Sequence, residues 1–149
     1  MFEKLNSIDN APFNLLLLAD PSMDLVLEYL GNGECFIYKE DSEILGCYVL
    51  KEININRVEI VNIAVSEDKQ GFGIGKILLL HAFDYAKRNG YKEVIVGTGN
   101  SSIGQIAFYQ KAGFRMFEID RGFFEKNYSE EIYENGILCR DMLRLLKPL

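Results

Sequence analysis

The chain has 149 residues, of which 48% are hydrophobic and 26% charged, and its formal net charge is -6. This length and composition are typical of one globular domain with a substantial core, so we expect a single domain over residues 1–149. The acidic balance argues against nonspecific binding to nucleic acid, which requires a basic surface. It is compatible with a cationic partner, although a mildly acidic surface usually serves solubility alone.

The cysteines and the N-terminus indicate the compartment. Cys35, Cys47 and Cys139 are widely spaced and form no C-x-x-C pair, which argues against both a disulfide framework and a zinc site. Residues 1–5 lack the basic start and long apolar stretch of a signal peptide, and the leucine run 15–18 is too short to cross a bilayer. We therefore predict a reduced, soluble, cytoplasmic protein without a metal site.

The first half of the chain predicts two short helices followed by three strands. The expected elements are helices over residues 12–18 and 23–30, and strands over residues 35–39, 44–50 and 58–65. Ser22 is the expected N-cap of the second helix. The polar residues 40–43 predict a hairpin between the first two strands, and residues 52–57 are expected to form a second polar connection.

The second half of the chain predicts alternating helices and strands. The expected elements are a helix over residues 74–88, a strand over 93–98, a helix over 104–111, a strand over 114–119 and a last strand over 137–146. The long helix is expected to bury residues 74, 77, 78, 82 and 85. Residues 120–136 fit no single element. Strand-helix-strand units imply parallel pairing and hairpins imply antiparallel pairing, so we predict an α/β protein with a mixed sheet that is not doubly wound.

The stretch from Gln70 to Lys76 places three glycines in five residues between an apolar strand and the long helix. Glycine lets another molecule approach the backbone, and the first N–H groups of a helix are unpaired at the positive end of its dipole. These features predict an anion site, most naturally for phosphates. The P-loop motif does not match, because Ile77 stands where that motif needs Ser or Thr after the lysine. The dinucleotide-binding motif G-x-G-x-x-G does not match either, because Lys76 stands in place of its third glycine. The glycines alone are also compatible with a glycine-rich turn that binds no ligand.

Two motifs in the expected order resemble the GNAT superfamily of N-acetyltransferases. Gln70-x-x-Gly73-x-Gly75 joins a strand to a long helix, and residues 106–114 are similar to the "A-x-x-Y-x-x-x-G-F" segment of that family. The resemblance covers residues 58–119, and the hairpin of residues 34–51 fits the same family. It implies a GNAT-like α/β fold with a mixed, mostly antiparallel sheet, a central parallel strand pair and flanking helices.

The resemblance implies an enzyme that moves an acetyl group from acetyl-CoA to a primary amine by direct attack. The backbone of residues 63–65 is expected to pair with the pantetheine arm, and the amides of residues 71–76 are expected to hold the pyrophosphate. Ser102 stands where members often carry asparagine, and Asn100 lies two residues earlier. The implied cofactor-binding residues are Ile63, Ala64, Val65, Gln70, Gly71, Phe72, Gly73, Ile74, Gly75, Lys76, Asn100 and Ser102.

Tyr109 and Glu59 are the candidate catalytic residues under this resemblance. Tyr109 occupies the position that usually faces the sulfur. A phenol of pKa about 10 donates fully to a thiolate of pKa about 8.5 only at a cost of roughly 2 kcal/mol, so a hydrogen bond to the developing thiolate is expected. Glu59 is the candidate base, because members often carry a carboxylate on this strand. Alternation places it with Val61, Ile63 and Val65 unless a bulge intervenes. The alternative for Tyr109 is a half-buried aromatic residue without a catalytic role, and the alternative for Glu59 is a solvated glutamate at the end of the strand.

The acceptor stays open: protein amines, polyamines, aminoglycosides and small metabolites all fit the resemblance. The acidic and aromatic segment Asp120–Glu134 predicts a site for a cationic amine that includes Glu130 and Glu131, with a solvated surface helix as the alternative. The rival function is a non-catalytic acyl-CoA sensor on the same fold. A homodimer is common among relatives.

Overall fold

The structure is a computed structural model that describes residues 1–149, and it is built around one seven-stranded sheet. The sheet strands are β1 (Phe2–Lys4), β2 (Glu34–Glu40), β3 (Glu43–Asn54), β4 (Arg57–Val65), β5 (Glu93–Gly99), β6 (Arg115–Asp120) and β9 (Met142–Pro148). A separate hairpin contains β7 (Tyr133–Glu134) and β8 (Ile137–Leu138). The helices are α1 (Phe13–Ala19), α2 (Met23–Asn32), α3 (Ile74–Arg88), α4 (Ile103–Lys111) and α5 (Phe123–Asn127). No helix combines the length and apolar character needed to span a membrane.

The sheet has the order β1-β2-β3-β4-β5-β9-β6, and β4 and β5 form its parallel pair. All the other neighbours pair antiparallel, which confirms the predicted mixed sheet with a central parallel pair. The parallel pairing joins residues 57–60 to residues 93–96 and then stops. Because β4 continues to Val65 and β5 to Gly99, the two strands part and leave an open edge between them.

Two apolar clusters lie on opposite faces of the sheet, as the alternation of buried side chains along β3 shows. Tyr48 and Leu50 belong to the cluster that α3 covers, whereas Cys47 and Val49 belong to the cluster under α1 and α2. Burial of apolar side chains on both faces is the main stabilising contribution for such a layered fold. The helices therefore pack against the central strands on both sides of the place where β4 and β5 part.

A bulge in β4 changes which face its residues occupy. Val49 pairs with Asn62 and Leu50 pairs with Ile60, so Val61 is an extra residue without an opposite partner. Before the bulge, Ile60 faces the cluster under α3; beyond it, Ala64 faces the cluster under α1 and α2, and Ile63 packs toward α3. Glu59 therefore does not share a face with Ile63, and the prediction from simple alternation is wrong at this point.

The C-terminal third differs from the predicted elements. The strand predicted over residues 137–146 is divided into β8 and β9, because the backbone N–H groups of Arg140 and Asp141 donate to the Asn100 side chain instead of to a strand. The unassigned residues 120–136 contain α5 and the first strand of the small hairpin. That hairpin turns at Asn135-Gly136, where both residues have positive φ.

The long helix buries Ile74, Leu78 and Ala82 as predicted, but the rest of its buried stripe differs from the prediction. Ile77 is 39% exposed, whereas Leu79 and Ala86 are buried. Successive residues of a helix are about 100° apart, so Ile77 and Leu79 lie on opposite sides of Leu78. Contact with the sheet extends toward Leu79, which leaves Ile77 in solvent.

Candidate functional site

The glycine loop ends in an uncapped helix. Gly71 and Gly73 have φ values of 85° and 84°, in the left-handed region that favours glycine. Gly73 is the N-cap of α3 and offers no side-chain acceptor, and the first bond of the helix runs from the Ile77 N–H to the Gly73 carbonyl. The N–H groups of residues 74–76 consequently have no partner within the helix. This geometry is suited to a phosphate group.

A cavity of about 640 Å³ opens beside this loop, and we call it the glycine-loop cavity. It is lined by β4, the loop, the first two turns of α4 and the small hairpin, through Ile63, Val65, Lys69, Gln70, Gly71, Gly73, Ile74, Gly75, Lys76, Ser102, Gly104, Gln105, Phe108, Glu134 and Asn135. Lys69 and Lys76 add positive charge to the helix dipole. The cavity can therefore hold an anionic group at the loop and an extended chain along β4.

The open edge of β4 forms one wall of the glycine-loop cavity. Residues 62–65 pair with β3 on one side and have no β5 partner on the other. Gln70 stabilises the loop against this strand, because its side-chain amide donates to the Val65 carbonyl at 3.2 Å. Ile63 and Val65 line the cavity, whereas the Ala64 side chain is buried in the opposite cluster. A ligand with amide groups can extend the sheet along this edge.

A second cavity, of about 380 Å³, lies where β4 and β5 part, and we call it the tyrosine cavity. Its walls are β4, β5, the connection from α1 to α2, α4, and the segment from α5 to β9. It shares Ile63, Ser102, Gln105 and Glu134 with the glycine-loop cavity. The two cavities therefore adjoin at these four residues.

Tyr109 lies in the tyrosine cavity and is only 5% exposed. Its ring packs against Phe108 and Phe114, with centroid distances of 5.5 and 5.6 Å. Burial raises the pKa of the Tyr109 phenol above its usual range, and no charged group or hydrogen-bond partner contributes to that shift. The hydroxyl is thus a protonated donor at neutral pH, free to bind a ligand.

Glu59 lies outside the lining of both cavities. Its carboxylate is 3.8 Å from the Arg144 guanidinium, which also lies 3.3 Å from Glu118 and 3.7 Å from Asp120. Burial raises the pKa of Glu59 despite the attraction of Arg144. The structure therefore separates the two candidate catalytic residues, one in the cavity and the other at the closed end of the β4–β5 pair.

Asn100 has a structural role instead of the predicted contact with the cofactor. Its side-chain oxygen accepts hydrogen bonds from Arg140 N at 2.8 Å and Asp141 N at 3.0 Å, and its amide donates to the Leu138 carbonyl at 3.1 Å. These bonds hold the break between β8 and β9, and Asn100 lines neither cavity. Ser102 lines both cavities and donates to Glu134 at 2.8 Å.

The predicted role of Phe72 concerns its backbone amide, and its side chain is 77% exposed and outside the lining of the glycine-loop cavity. The prediction for the acidic segment is corrected by the positions of its side chains. Glu130 and Glu131 are exposed and outside both cavities, whereas Tyr128 and Glu134 from the same segment line the tyrosine cavity. The acidic segment therefore reaches the site through other residues than those predicted.

Asp20 and Asn62 are among the polar residues of the tyrosine cavity that sequence reasoning missed. Asp20 precedes a proline and resembled an ordinary helix end. Asn62 carried a usable signal, because it is a polar residue within the apolar run of β4 and is buried. Only the packing of α1 and α2 beside β4 brings the two together.

Comparison with known proteins places this architecture in one family. A family model described as the acetyltransferase (GNAT) family matches residues 3–114. The uncharacterised N-acetyltransferase YvbK of Bacillus subtilis is 53% identical over 137 residues, which is 92% of this chain and 88% of that protein.

Two solved structures are similar over the whole chain. A GNAT family acetyltransferase from Elizabethkingia anophelis with acetyl-CoA bound has a TM-score of 0.97 and 46% identity, covering 100% of this chain and 97% of that one. An IAA acetyltransferase from Bacillus cereus has a TM-score of 0.95 and 49% identity, covering 100% and 99% of the two chains.

Proposed function

Because the chain belongs to the GNAT acetyltransferase family, we propose that it transfers the acetyl group of acetyl-CoA to a primary amine by direct attack. One observation carries the proposal: the free hydroxyl of Tyr109 lies in a cavity that adjoins the glycine-loop cavity where β4 and β5 part. A thioester entering along β4 would meet an amine at this junction.

The glycine-loop cavity is the proposed site of acetyl-CoA, the co-substrate bound in the Elizabethkingia anophelis relative. The amides of residues 71–76 would hold the pyrophosphate, with Gln70 beside it. The backbone of residues 63–65 would pair with the pantetheine arm, which its open edge permits. Ser102 is retained among the proposed contacts because it lines the cavity, and Asn100 is not.

The proposed reaction joins the two cavities. The amine nitrogen, after losing a proton, attacks the thioester carbon; the C–N bond forms, the C–S bond breaks, and the nitrogen loses a second proton. The sulfur leaves as a thiolate and gains a proton, so the products are an amide and free CoA. Tyr109 would hydrogen-bond the developing thiolate, and since burial makes its phenol less acidic, we assign it stabilisation and not full proton transfer.

Glu59 is the proposed proton acceptor, acting through bridging water. Glu59 pairs with Ile95 on β5, which lies on the same face of the sheet as Gly97. Gly97 lines the tyrosine cavity, and so does Ile60, the residue next to Glu59. Its raised pKa brings the carboxylate closer to neutral pH, where a base is most effective.

Two measurements test the proposal. Calorimetric titration is expected to give saturable binding of acetyl-CoA and at least about tenfold weaker binding of ATP, which lacks the pantetheine contacts along β4. Release of free thiol is then measured with a panel of amines and, in a separate arm, with IAA, which appears in the name of the Bacillus cereus relative. Acetyl-CoA binding with no turnover of any acceptor would favour the sensor over the enzyme.

A further inference from the structure

The charged groups of the tyrosine cavity are all acidic. Asp20 and Glu134 line it, and its lining contains no lysine, arginine or histidine. Carboxylates in a concave, partly apolar site concentrate cations and repel anions. The acceptor cavity of the proposed transferase is therefore selective by charge, whereas the glycine-loop cavity beside it carries Lys69 and Lys76 for an anion.

The tyrosine hydroxyl groups around Asp20 donate hydrogen bonds to its carboxylate. Tyr128 donates to Oδ1 at 2.8 Å and Tyr29 donates to Oδ2 at 3.3 Å, while the Ser22 backbone N–H lies 3.1 Å from Oδ1. A carboxylate has about four lone-pair positions, so Asp20 retains capacity for one more donor. Because these protons point toward Asp20, this part of the wall offers a carboxylate acceptor to a ligand.

Asn62 supplies an independent observation on the same wall. It is 4% exposed, and its amide nitrogen donates to the Leu16 carbonyl at 2.9 Å and to the Tyr29 hydroxyl at 2.7 Å. Its Oδ1 is buried and has no hydrogen-bond partner, although the residue lines the tyrosine cavity. An unpaired buried acceptor is costly unless a donor arrives, and the N–H groups of an ammonium ion would supply such a donor.

The remaining wall is apolar. Leu17, Pro21, Val61, Phe124, Ile132 and Met142 line the cavity. At about 380 Å³, its volume matches a small molecule and not a folded protein surface. The ligand thus needs an apolar body of limited size in addition to its N–H donors.

We propose that the tyrosine cavity selects small primary amines that enter as ammonium ions, carry an apolar body and lack a carboxylate beside the amine, with Asp20 and Asn62 as their polar contacts. This inference rests on the proposed function, because it names the acceptor class for that site. An amino acid of the same shape is rejected, since its carboxylate meets Asp20 and Glu134.

The test uses a pair of ligands that differ by one carboxylate, phenethylamine and L-phenylalanine, and hexylamine as a second apolar amine. Binding to the CoA-saturated protein is measured by calorimetry, separately from turnover. Phenethylamine is expected to bind at least about tenfold more tightly than L-phenylalanine, and Asp20→Asn is expected to weaken it by a similar factor. The Asn side chain at position 20 keeps an oxygen that can accept from Ser22 and Tyr128. Glu134→Gln is the second test variant. Glu130→Gln, which lies outside the cavity, is the control.

The outcomes separate this inference from the proposed function. Charge-dependent binding of the amines without thiol release supports the inference and contradicts the transferase. Thiol release with other acceptors, combined with equal binding of L-phenylalanine or with no effect of Asp20→Asn and Glu134→Gln, overturns the inference alone. Failure of both phenethylamine and hexylamine to bind the folded protein also overturns it.

Discussion

The Tyr128 hydroxyl donates a hydrogen bond of 2.8 Å to Asp20 Oδ1, across 108 residues of sequence. Tyr128 follows α5 and Asp20 follows α1, so this bond joins two segments that wall the tyrosine cavity. We predict that Tyr128→Phe lowers the free energy of unfolding by about 1 kcal/mol and raises the KM of the acceptor more than that of acetyl-CoA. Denaturant unfolding and steady-state kinetics measure both. The exposed Tyr133 provides a matched control, Tyr133→Phe; equal effects of the two would contradict the role of this bond.

Replacement of Tyr109 by Phe tests the role of its hydroxyl. Removal of one preorganised donor to a developing anion is expected to lower kcat by about 100-fold. The affinity for acetyl-CoA should stay unchanged, because the hydroxyl lies in the tyrosine cavity and outside the lining of the glycine-loop cavity. Tyr91→Phe, which removes a hydroxyl bonded to Glu52 outside both cavities, is the control. Unaltered turnover in Tyr109→Phe would remove this residue from the mechanism.

Gly73 and Gly90 provide a matched pair for the glycine loop. Their φ values are 84° and 87°, and an added Cβ would meet no atom within 4 Å at either position. Each change to Ala is therefore expected to cost about 1 kcal/mol of stability through backbone strain alone. Only Gly73→Ala should also weaken acetyl-CoA binding, because Gly73 precedes the free amides of α3. Calorimetry on both variants distinguishes the effects, and equal weakening would argue against an anion site at the loop.

Glu59→Gln separates a catalytic role from a structural one. The folded pKa of Glu59 is raised by burial above its ordinary value of 4.5. The neutral form therefore stabilises the fold below that value, and this contribution is lost as the pH rises through the folded pKa. The variant cannot ionise, so its stability relative to the parent should increase from pH 4 toward neutral pH.

The kinetic expectation for Glu59→Gln is a decrease in kcat of about 100-fold, with loss of the acidic limb of the pH–rate profile. Glu118→Gln is the matched control, because it removes another carboxylate beside Arg144 without removing the proposed base. If the two variants have the same activity and pH profile, Glu59 serves only to balance the charge of Arg144.

A homodimer stays a prediction, and we take the free outer edge of β6 as the surface to test. Met116, Phe117 and Ile119 are exposed on this edge strand. Antiparallel pairing of β6 with the same strand of a second copy would form an isologous interface at this edge. Sedimentation equilibrium is expected to show a dimer that Ile119→Lys dissociates, with the exposed Ile55→Lys as control. A monomeric parent protein would contradict this arrangement.

Local patterns were sufficient for most elements because they depend on residues that are close in sequence. The helix over residues 74–88 follows from its apolar periodicity and the glycines before it, and it begins and ends as predicted. The division of the last predicted strand was not readable, because it depends on Asn100, some 40 residues away in the chain. The same holds for Glu59, whose face depends on the pairing of β4 with β3 around Val61.

The sequence by itself determined the glycine loop, the motif around Tyr109 and the family to which they belong, since each is a local pattern of residue types. Only the tertiary structure decided how the site is assembled. The parting of β4 from β5 creates the junction of the two cavities. Packing of α1 and α2 then brings Asp20, Asn62 and Tyr128 to one wall. Only when these residues share one wall of the cavity can their charge and hydrogen bonds select a ligand, because polar groups act across short distances in a site shielded from water.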